Sequence, residues 1–273
     1  MAEAHAPAKI NLTLHVTGRR NDGYHLLDSL VVFADIGDQL HIETAADTSL
    51  SVTGPMAVGV PTDDANLVIK ATHLIGIDAE IHLEKHLPNA AGIGGGSADA
   101  GAVLRVLSKL TGTPVPQNGL PLGADVPVCL LSCTARMQGI GDIVAPLKDI
   151  PPLDAVLVNP GFNVPTGPIF QNLKTPNNTF MPDTIPTGLD APKFAQWLAT
   201  QRNDLEPSAI AVQPAIATTL KTLRATHACL LARMSGSGAT CFGLYTDSKT
   251  AASAALKIQN QNPDWWVVQT RLS

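Results

Sequence analysis

Pro88-Asn89-Ala90-Ala91-Gly92-Ile93-Gly94-Gly95-Gly96-Ser97-Ala98-Asp99-Ala100-Gly101 places four glycines within five positions and then passes directly into a helical pattern. Glycine permits positive φ and lets other atoms come close to bare N–H groups. A helix start adds unpaired N–H donors and a partial positive charge. Together these suit a phosphate group without any cationic side chain. A plain turn would not need so many glycines, each of which costs backbone entropy on folding. In the helix that follows, Ser97 is the expected N-cap, with Asp99 in the first turn. Val103, Leu104, Leu107 and Leu110 form one apolar face, and Gly112 and Pro114 end it.

The familiar phosphate motifs can be tested against this stretch. No Gly-x-x-x-x-Gly-Lys-Ser/Thr occurs, and a dinucleotide fingerprint starting at Gly92 would need Gly or Ala where Ser97 stands. A protein-kinase glycine flap lacks its Lys and His-Arg-Asp partners. What remains is a strand, Pro-x-x-x-Gly-x-Gly-Gly-Gly-Ser, and a helix.

Upstream, Ile10, Leu12, Leu14 and Val16 alternate with Lys9, Asn11, Thr13 and His15, the period of a half-buried strand. Asn21-Asp22-Gly23 signals a turn, and Leu30–Phe33 resumes an extended run. Short strands are expected at Gln39–Glu43 and Leu50–Thr53, a helix over Asn66–Ile75, and another strand over Ala79–Leu87. Downstream, Leu122-Gly123-Ala124-Asp125-Val126-Pro127 reads as a turn into a short helix. Ile150-Pro151-Pro152-Leu153 is the best linker, which divides the chain into 1–150 and 151–273. Ala155–Val158 is strand-like, and 175–188 is loop. A second glycine turn, Ser235-Gly236-Ser237-Gly238-Ala239-Thr240, leads into a strand at Cys241–Tyr245. Strands punctuated by helices without strict alternation indicate an α+β fold.

The formal net charge of −5 over 273 residues argues against a nucleic-acid partner, and no block of like charge suggests a membrane patch. The first residues show neither a signal peptide nor a membrane span. The four cysteines lack metal or disulfide spacing, which points to reduced thiols in a cytoplasmic protein. Cys129 and Cys133, four apart on the expected short helix, suit buried packing.

Residues 88–98 resemble the phosphate loop of the GHMP kinases, the group that includes galactokinase, homoserine kinase and mevalonate kinase. Pro7-Ala8-Lys9-Ile10-Asn11-Leu12, Asp22-Gly23-Tyr24-His25, Leu122–Pro127 and Ser235–Ala239 extend the resemblance, in order, along nearly the whole chain. It implies a two-domain GHMP-kinase-like fold, an N-terminal ATP-binding half and a C-terminal half, with the active site in the cleft between them. It further implies transfer of the ATP γ-phosphoryl group to the 2-hydroxyl of 4-diphosphocytidyl-2-C-methyl-D-erythritol, a step of non-mevalonate isoprenoid synthesis. Magnesium is expected with the nucleotide, held by phosphate oxygens and water rather than by a dedicated carboxylate cluster.

Phosphoryl transfer needs positioning, charge stabilisation and a group to take the acceptor proton. By residue type alone, Asp125 suits the N-cap of its short helix, and Lys9 reads as a surface strand residue. The resemblance instead implies that Asp125 is the base and that Lys9 keeps it ionised. It implies nucleotide contacts from Pro88, Asn89, Ala90, Ala91, Gly92, Ile93, Gly94, Gly95, Gly96, Ser97 and Ala98. Asn11, Tyr24, His25 and Phe170 are implied at the substrate, the aromatics around its cytosine, although Tyr24 alone reads as a core-edge aromatic. Ser235, Gly236, Ser237 and Gly238 are implied beside the transferred phosphate. Arg233 could counter phosphate charge or form a surface salt bridge.

Three departures stand out. Ala98 replaces a second serine, Gln138 stands where glutamate is common, and the segment between Leu110 and Gly123 is short. The alternatives are a GHMP kinase for another small alcohol, such as homoserine or mevalonate, and a nucleotide-binding homologue without catalysis. The Asp-Gly-Tyr-His segment speaks against the first, and retention of both Lys9 and Asp125 against the second.

Overall fold

The computed structural model describes residues 2–273. In chain order the first elements are β1 (Ala2–Asn11), β2 (His15–Arg19), β3 (His25–Thr44), β4 (Ser49–Thr53), α1 (Leu67–Ile75), β5 (Ala79–Glu84), α2 (Gly95–Thr111) and α3 (Val126–Leu131). Then follow β6 (Ala135–Gly139), β7 (Ile143–Pro146), β8 (Leu153–Asn159), α4 (Thr166–Gln171), α5 (Ala191–Ala199), α6 (Glu206–Val212), α7 (Ala215–Arg224), β9 (Leu231–Met234), β10 (Cys241–Tyr245), α8 (Ser248–Gln261) and β11 (Trp266–Leu272). Strands and helices mix without strict alternation, so the fold is α+β, as expected.

Chain packing forms two units that interleave along the sequence. Unit 1 takes the residues up to Lys9, then Ile36–Asn89 and Gly94–Cys133; unit 2 takes Ile10–Asp35, Ala90–Ile93 and Thr134–Ser273. No break in packing falls at residue 150, because Thr134–Ser273 runs through it within unit 2. The cause is β6, whose pairing with the first part of β3 draws the segment before the linker into that unit.

In unit 1, the last part of β3 pairs antiparallel with β5, Leu40 opposite Leu83 and Ile42 opposite Ile81, and β4 runs parallel to β5. These four side chains are buried, which is what fixes the register: a one-residue slip would turn all of them to water. α1 starts at Asn66, whose side chain accepts the Val68 N–H, and ends at Gly76 in the left-handed conformation. α2 lies close on α3. A Cβ at Gly101 would stand 2.9 Å from the Cys129 carbonyl carbon, so only glycine allows that approach.

α2 starts earlier than its sequence suggests. Its N-cap is Gly94, with φ 64°, and the helix runs from Gly95, so Ser97 is not the cap and Asp99 lies beyond the first turn. A left-handed cap residue is open to glycine without strain, and the flanking Gly95 and Gly96 then wind as helix.

In unit 2, β11, β8, β10 and β9 form an antiparallel ladder, with Val158 opposite both Cys241 and Val267. β8 is buried along nearly its whole length, as befits a central strand. The first part of β3 pairs with β2 and β6, and Ala34 meets Leu272 of β11. Leu14, Val16, Val156, Val158, Leu220, Leu223 and Tyr245 belong to the core of this unit.

The half-buried strand expected at residues 9–16 is not what forms. Lys9, Asn11, Thr13 and His15 are all buried, and the strand breaks between Asn11 and His15. Buried polar groups need partners. Here Asn11 Nδ2 donates to Ser29 Oγ at 2.8 Å, and Thr13 Oγ1 accepts the Leu30 N–H at 2.9 Å. His15 Nδ1 lies 3.3 Å from the Thr179 carbonyl oxygen.

Of the two cysteines expected to be buried on a helix, Cys129 is buried in α3, whereas Cys133 is exposed beyond its end; all four cysteines are free. Among the described residues, no helix is long and apolar enough to cross a membrane.

Candidate active site

In unit 1, Lys9 Nζ lies 2.9 Å from Asp125 Oδ2. The ammonium is almost wholly buried, and the carboxylate is about one-third exposed (34%), so one oxygen edge stays within reach of a reactant. Asp125 does occupy the N-cap position of α3, but its side chain makes no capping bond. Pro127, the second residue of that helix, removes one of the two N–H groups an N-cap side chain could accept, and the carboxylate pairs with Lys9 instead.

Gly94 joins this pair to the glycine loop. A Cβ there would stand 3.1 Å from Lys9 Cε, so the lysine stem passes directly against the residue that heads α2. Ala98 N–H makes the first intrahelical bond, to Gly94 O at 2.8 Å; the N–H groups of Gly95, Gly96 and Ser97 precede it and are the orphan donors of the helix. Among the described residues, no backbone N–H from Ala90 to Gly94 donates to a backbone carbonyl. That unpaired row is what an anion can use. Ser97 is half-buried at the helix start, and the Ala98 side chain is buried.

In unit 2, the two glycine turns interlock. A Cβ at Gly92 would lie 2.6 Å from Gly238 O, and one at Gly236 would lie 2.7 Å from Gly92 O. Thr240 N–H donates to Ala91 O at 3.1 Å. Ser235 Oγ donates to Gly92 O and accepts the Asn11 N–H, each at 3.1 Å. Ser235 is fully buried, and the N–H groups of Ser235 and Gly238 are both used inside the turn. These residues thus brace the first loop. Asn11, buried between Ser29 and Ser235, belongs to the same brace.

Asp22 and Gly23 form the expected turn, in which Arg20 N–H donates to Tyr24 O at 2.7 Å. Tyr24 projects outward, 59% exposed, so it is no core-edge aromatic. His25 stacks on Phe170, with ring centroids 4.7 Å apart and 28° between planes. Burial, and then the nearby Arg19 charge, lower the His25 pKa, which favours the neutral ring. Phe170 rides on α4, and Thr166 at the head of that helix lies 3.0 Å, Oγ to Oγ, from Ser237.

Arg233 turns into the protein, and among the described residues it makes no salt bridge. Its buried guanidinium donates to Leu12 O, Leu198 O and Gln201 O at 2.8–2.9 Å, and burial lowers its pKa to about 10. Sequence reading also missed three buried charged residues near the loop, Asp38, Lys85 and Asp99. Lys85 offered one signal, in that it stands at an apolar position of the alternating run Ala79–Leu87 that leads to the glycines.

An ammonium–carboxylate pair beside a glycine-headed helix, and an aromatic stack elsewhere, are the parts of a small-molecule phosphotransferase. Profiles of the GHMP kinases N terminal domain and of the GHMP kinases C terminal region match residues 65–145 and 189–264, which defines the class as GHMP kinase. A 4-diphosphocytidyl-2-C-methyl-D-erythritol kinase of Dinoroseobacter shibae is 55% identical over 98% of this chain and 93% of its own length. One from Cereibacter sphaeroides is 54% identical over 100% of this chain and 99% of its own length. A solved 4-(cytidine 5'-diphospho)-2C-methyl-D-erythritol kinase superposes with a TM-score of 0.81 at 31% identity, covering 100% of this chain and 99% of the other. The chain belongs to the GHMP kinase family, in the branch these 4-diphosphocytidyl-2-C-methyl-D-erythritol kinases form, and is a small-molecule kinase.

Proposed function

We propose that this chain transfers the γ-phosphoryl group of ATP to the 2-hydroxyl of 4-diphosphocytidyl-2-C-methyl-D-erythritol, the alcohol its relatives are named for. The observation that carries the chemistry is the Lys9–Asp125 pair at 2.9 Å, held against the glycine that opens α2. The 2-hydroxyl oxygen bonds to the γ-phosphorus as the bond to the ADP leaving oxygen breaks, and the hydroxyl proton passes to Asp125. Lys9 stands beside the carboxylate and offsets negative charge on the attacking oxygen.

The N–H groups of residues 90–97 receive the nucleotide phosphates, an arrangement in which backbone dipoles do the work of cationic side chains. Pro88, Asn89 and Ala98 frame that run. Magnesium arrives on the nucleotide, bound by phosphate oxygens and water. Tyr24, His25 and Phe170 hold the cytosine, since stacked rings suit a flat base. Ser237 and Gly236 lie on the phosphate side, while Asn11, Ser235 and Gly238 hold the loops in place. We infer a cytoplasmic setting from the free thiols.

The test is ADP release from ATP with 4-diphosphocytidyl-2-C-methyl-D-erythritol, homoserine and mevalonate as acceptors. Release with the first alone, and a product phosphorylated at the 2-position by phosphorus NMR, is expected. Turnover on homoserine or mevalonate instead, or ATP binding without turnover on any acceptor, would overturn the proposal.

A further inference from the structure

Asp38, Lys85 and Asp99 form a buried ionic cluster in unit 1, apart from Lys9 and Asp125. Lys85 Nζ donates to Asp38 Oδ2, and to Asp99 Oδ2 at 2.8 Å. Asp38 Oδ1 accepts the N–H groups of His86 and Leu87 at 2.6 and 2.9 Å. Asp99 Oδ1 is buried with no hydrogen-bond partner.

The placement of these groups is what matters. Residues 85–87 lead from β5 into the glycine loop, and Asp99 lies in α2, which leaves it. Asp38 pins the entry through two backbone bonds, and Lys85 ties that entry to the exit helix. A Cβ at Gly95 would sit 3.5 Å from Lys85 Nζ, so the tie passes beside the first residue of α2. Burying two acidic side chains around one ammonium is a poor way to add stability, since apolar groups of equal size do as well or better. Fixing the distance between two chain segments is a use that apolar packing serves less sharply.

We propose that Asp38, Lys85 and Asp99 are positioning residues that clamp the entry and exit of the glycine loop at the separation the ATP phosphates require. The proposal rests on the reading of this loop as the phosphate site. Asp99 is the residue to test, because its loss leaves the Lys85–Asp38 contact in place.

With ATP as the calorimetric probe, Asp99→Ala is expected to bind the nucleotide about tenfold more weakly. Its KM for ATP rises in step, while kcat at saturating ATP and KM for the cytidine alcohol stay within about threefold of the parent. Asp99→Asn, which keeps an acceptor for Lys85, restores ATP affinity to within about twofold. Unchanged ATP affinity in folded Asp99→Ala would overturn the clamp, as would equal losses in both KM values that Asn fails to rescue. Should Asp99→Ala not fold, Lys85→Arg alters the length of the tie and is expected to weaken ATP binding similarly; full affinity there would also overturn it. ATP calorimetry needs no acceptor, so a chain that bound ATP, phosphorylated none of the alcohols and still gave this affinity series would refute the kinase reading and support the clamp.

Discussion

Lys9 and Asp125, remote from each other along the chain, meet at 2.9 Å with the lysine stem lying against Gly94. A buried ammonium gains by having its carboxylate close, and a carboxylate so held cannot swing away to cap its own helix. The geometry thus pairs the Asp125 side chain with Lys9 rather than with its own helix, although the residue keeps the N-cap position. Asp125→Asn retains size and hydrogen bonding but loses basicity. Turnover should fall by about 10²–10⁴-fold, the usual range for a lost general base, while calorimetric ATP affinity changes less than about threefold. A variant still turning over within a few-fold of the parent would remove Asp125 from that role.

Phe170 stacks on His25 and is expected to act on the cytidine end only. Phe170→Ala should raise KM for the cytidine alcohol by about 5–150-fold, matching roughly 1–3 kcal/mol for one base stack. KM for ATP should stay level. Parallel steady-state titrations of the two substrates separate the effects, and an equal rise in both would count against the stack.

Gly92 admits no side chain. Its φ of 74° costs an alanine about 1–2 kcal/mol, and the added Cβ would lie 2.6 Å from Gly238 O and 2.7 Å from Ser235 O. Gly92→Ala should therefore lower Tm by at least about 2 °C for a chain of this size, and loosen ATP binding as the two turns part. Differential scanning calorimetry with and without ATP checks both. Gly59, where a Cβ meets nothing within 4 Å, is the control: it shares the positive φ but not the crowding.

Asp99 sets a pH dependence of stability. Burial, with the Asp38 carboxylate adding to it and Lys85 opposing it, raises its pKa to about 8 from an ordinary 3.8. Between those values the folded chain holds a proton that the unfolded chain has released, so stability falls as pH rises across that window and levels off above it. The slope from this residue is at most about 1.4 kcal/mol per pH unit. Asp99→Asn has no proton to lose, so its Tm should fall less than the parent's between pH 5 and 8. Identical Tm profiles for the two proteins would show that Asp99 does not titrate in this way.

The glycine turns, the helix after the first of them, the strand Cys241–Tyr245 and the α+β character were legible because they depend on local preferences. Glycine tolerance of positive φ and the 3.6-residue and two-residue apolar periods act within a few positions of one another. The meeting of Lys9 with Asp125, and the nearness of His25 to Phe170, were foreshadowed by a resemblance that ran in order along the chain.

What lay outside local reading was decided by long-range contact. Residues 9–16 carry the alternation of a half-wet strand, yet both faces are buried, since Ser29, Leu30 and Thr179 supply partners for polar groups that would otherwise stay in water. Arg233 was open to a phosphate or a surface salt bridge and instead donates to three buried carbonyls. Asp99 looked like a first-turn acid and turns inward to Lys85. The sequence by itself determined where the backbone can bend and where it must coil, because those preferences reside in single residues and their neighbours. Only the tertiary structure decided which charges meet, because the pairing of Lys9 with Asp125, and of Lys85 with Asp38 and Asp99, depends on distances that no stretch of chain encodes alone.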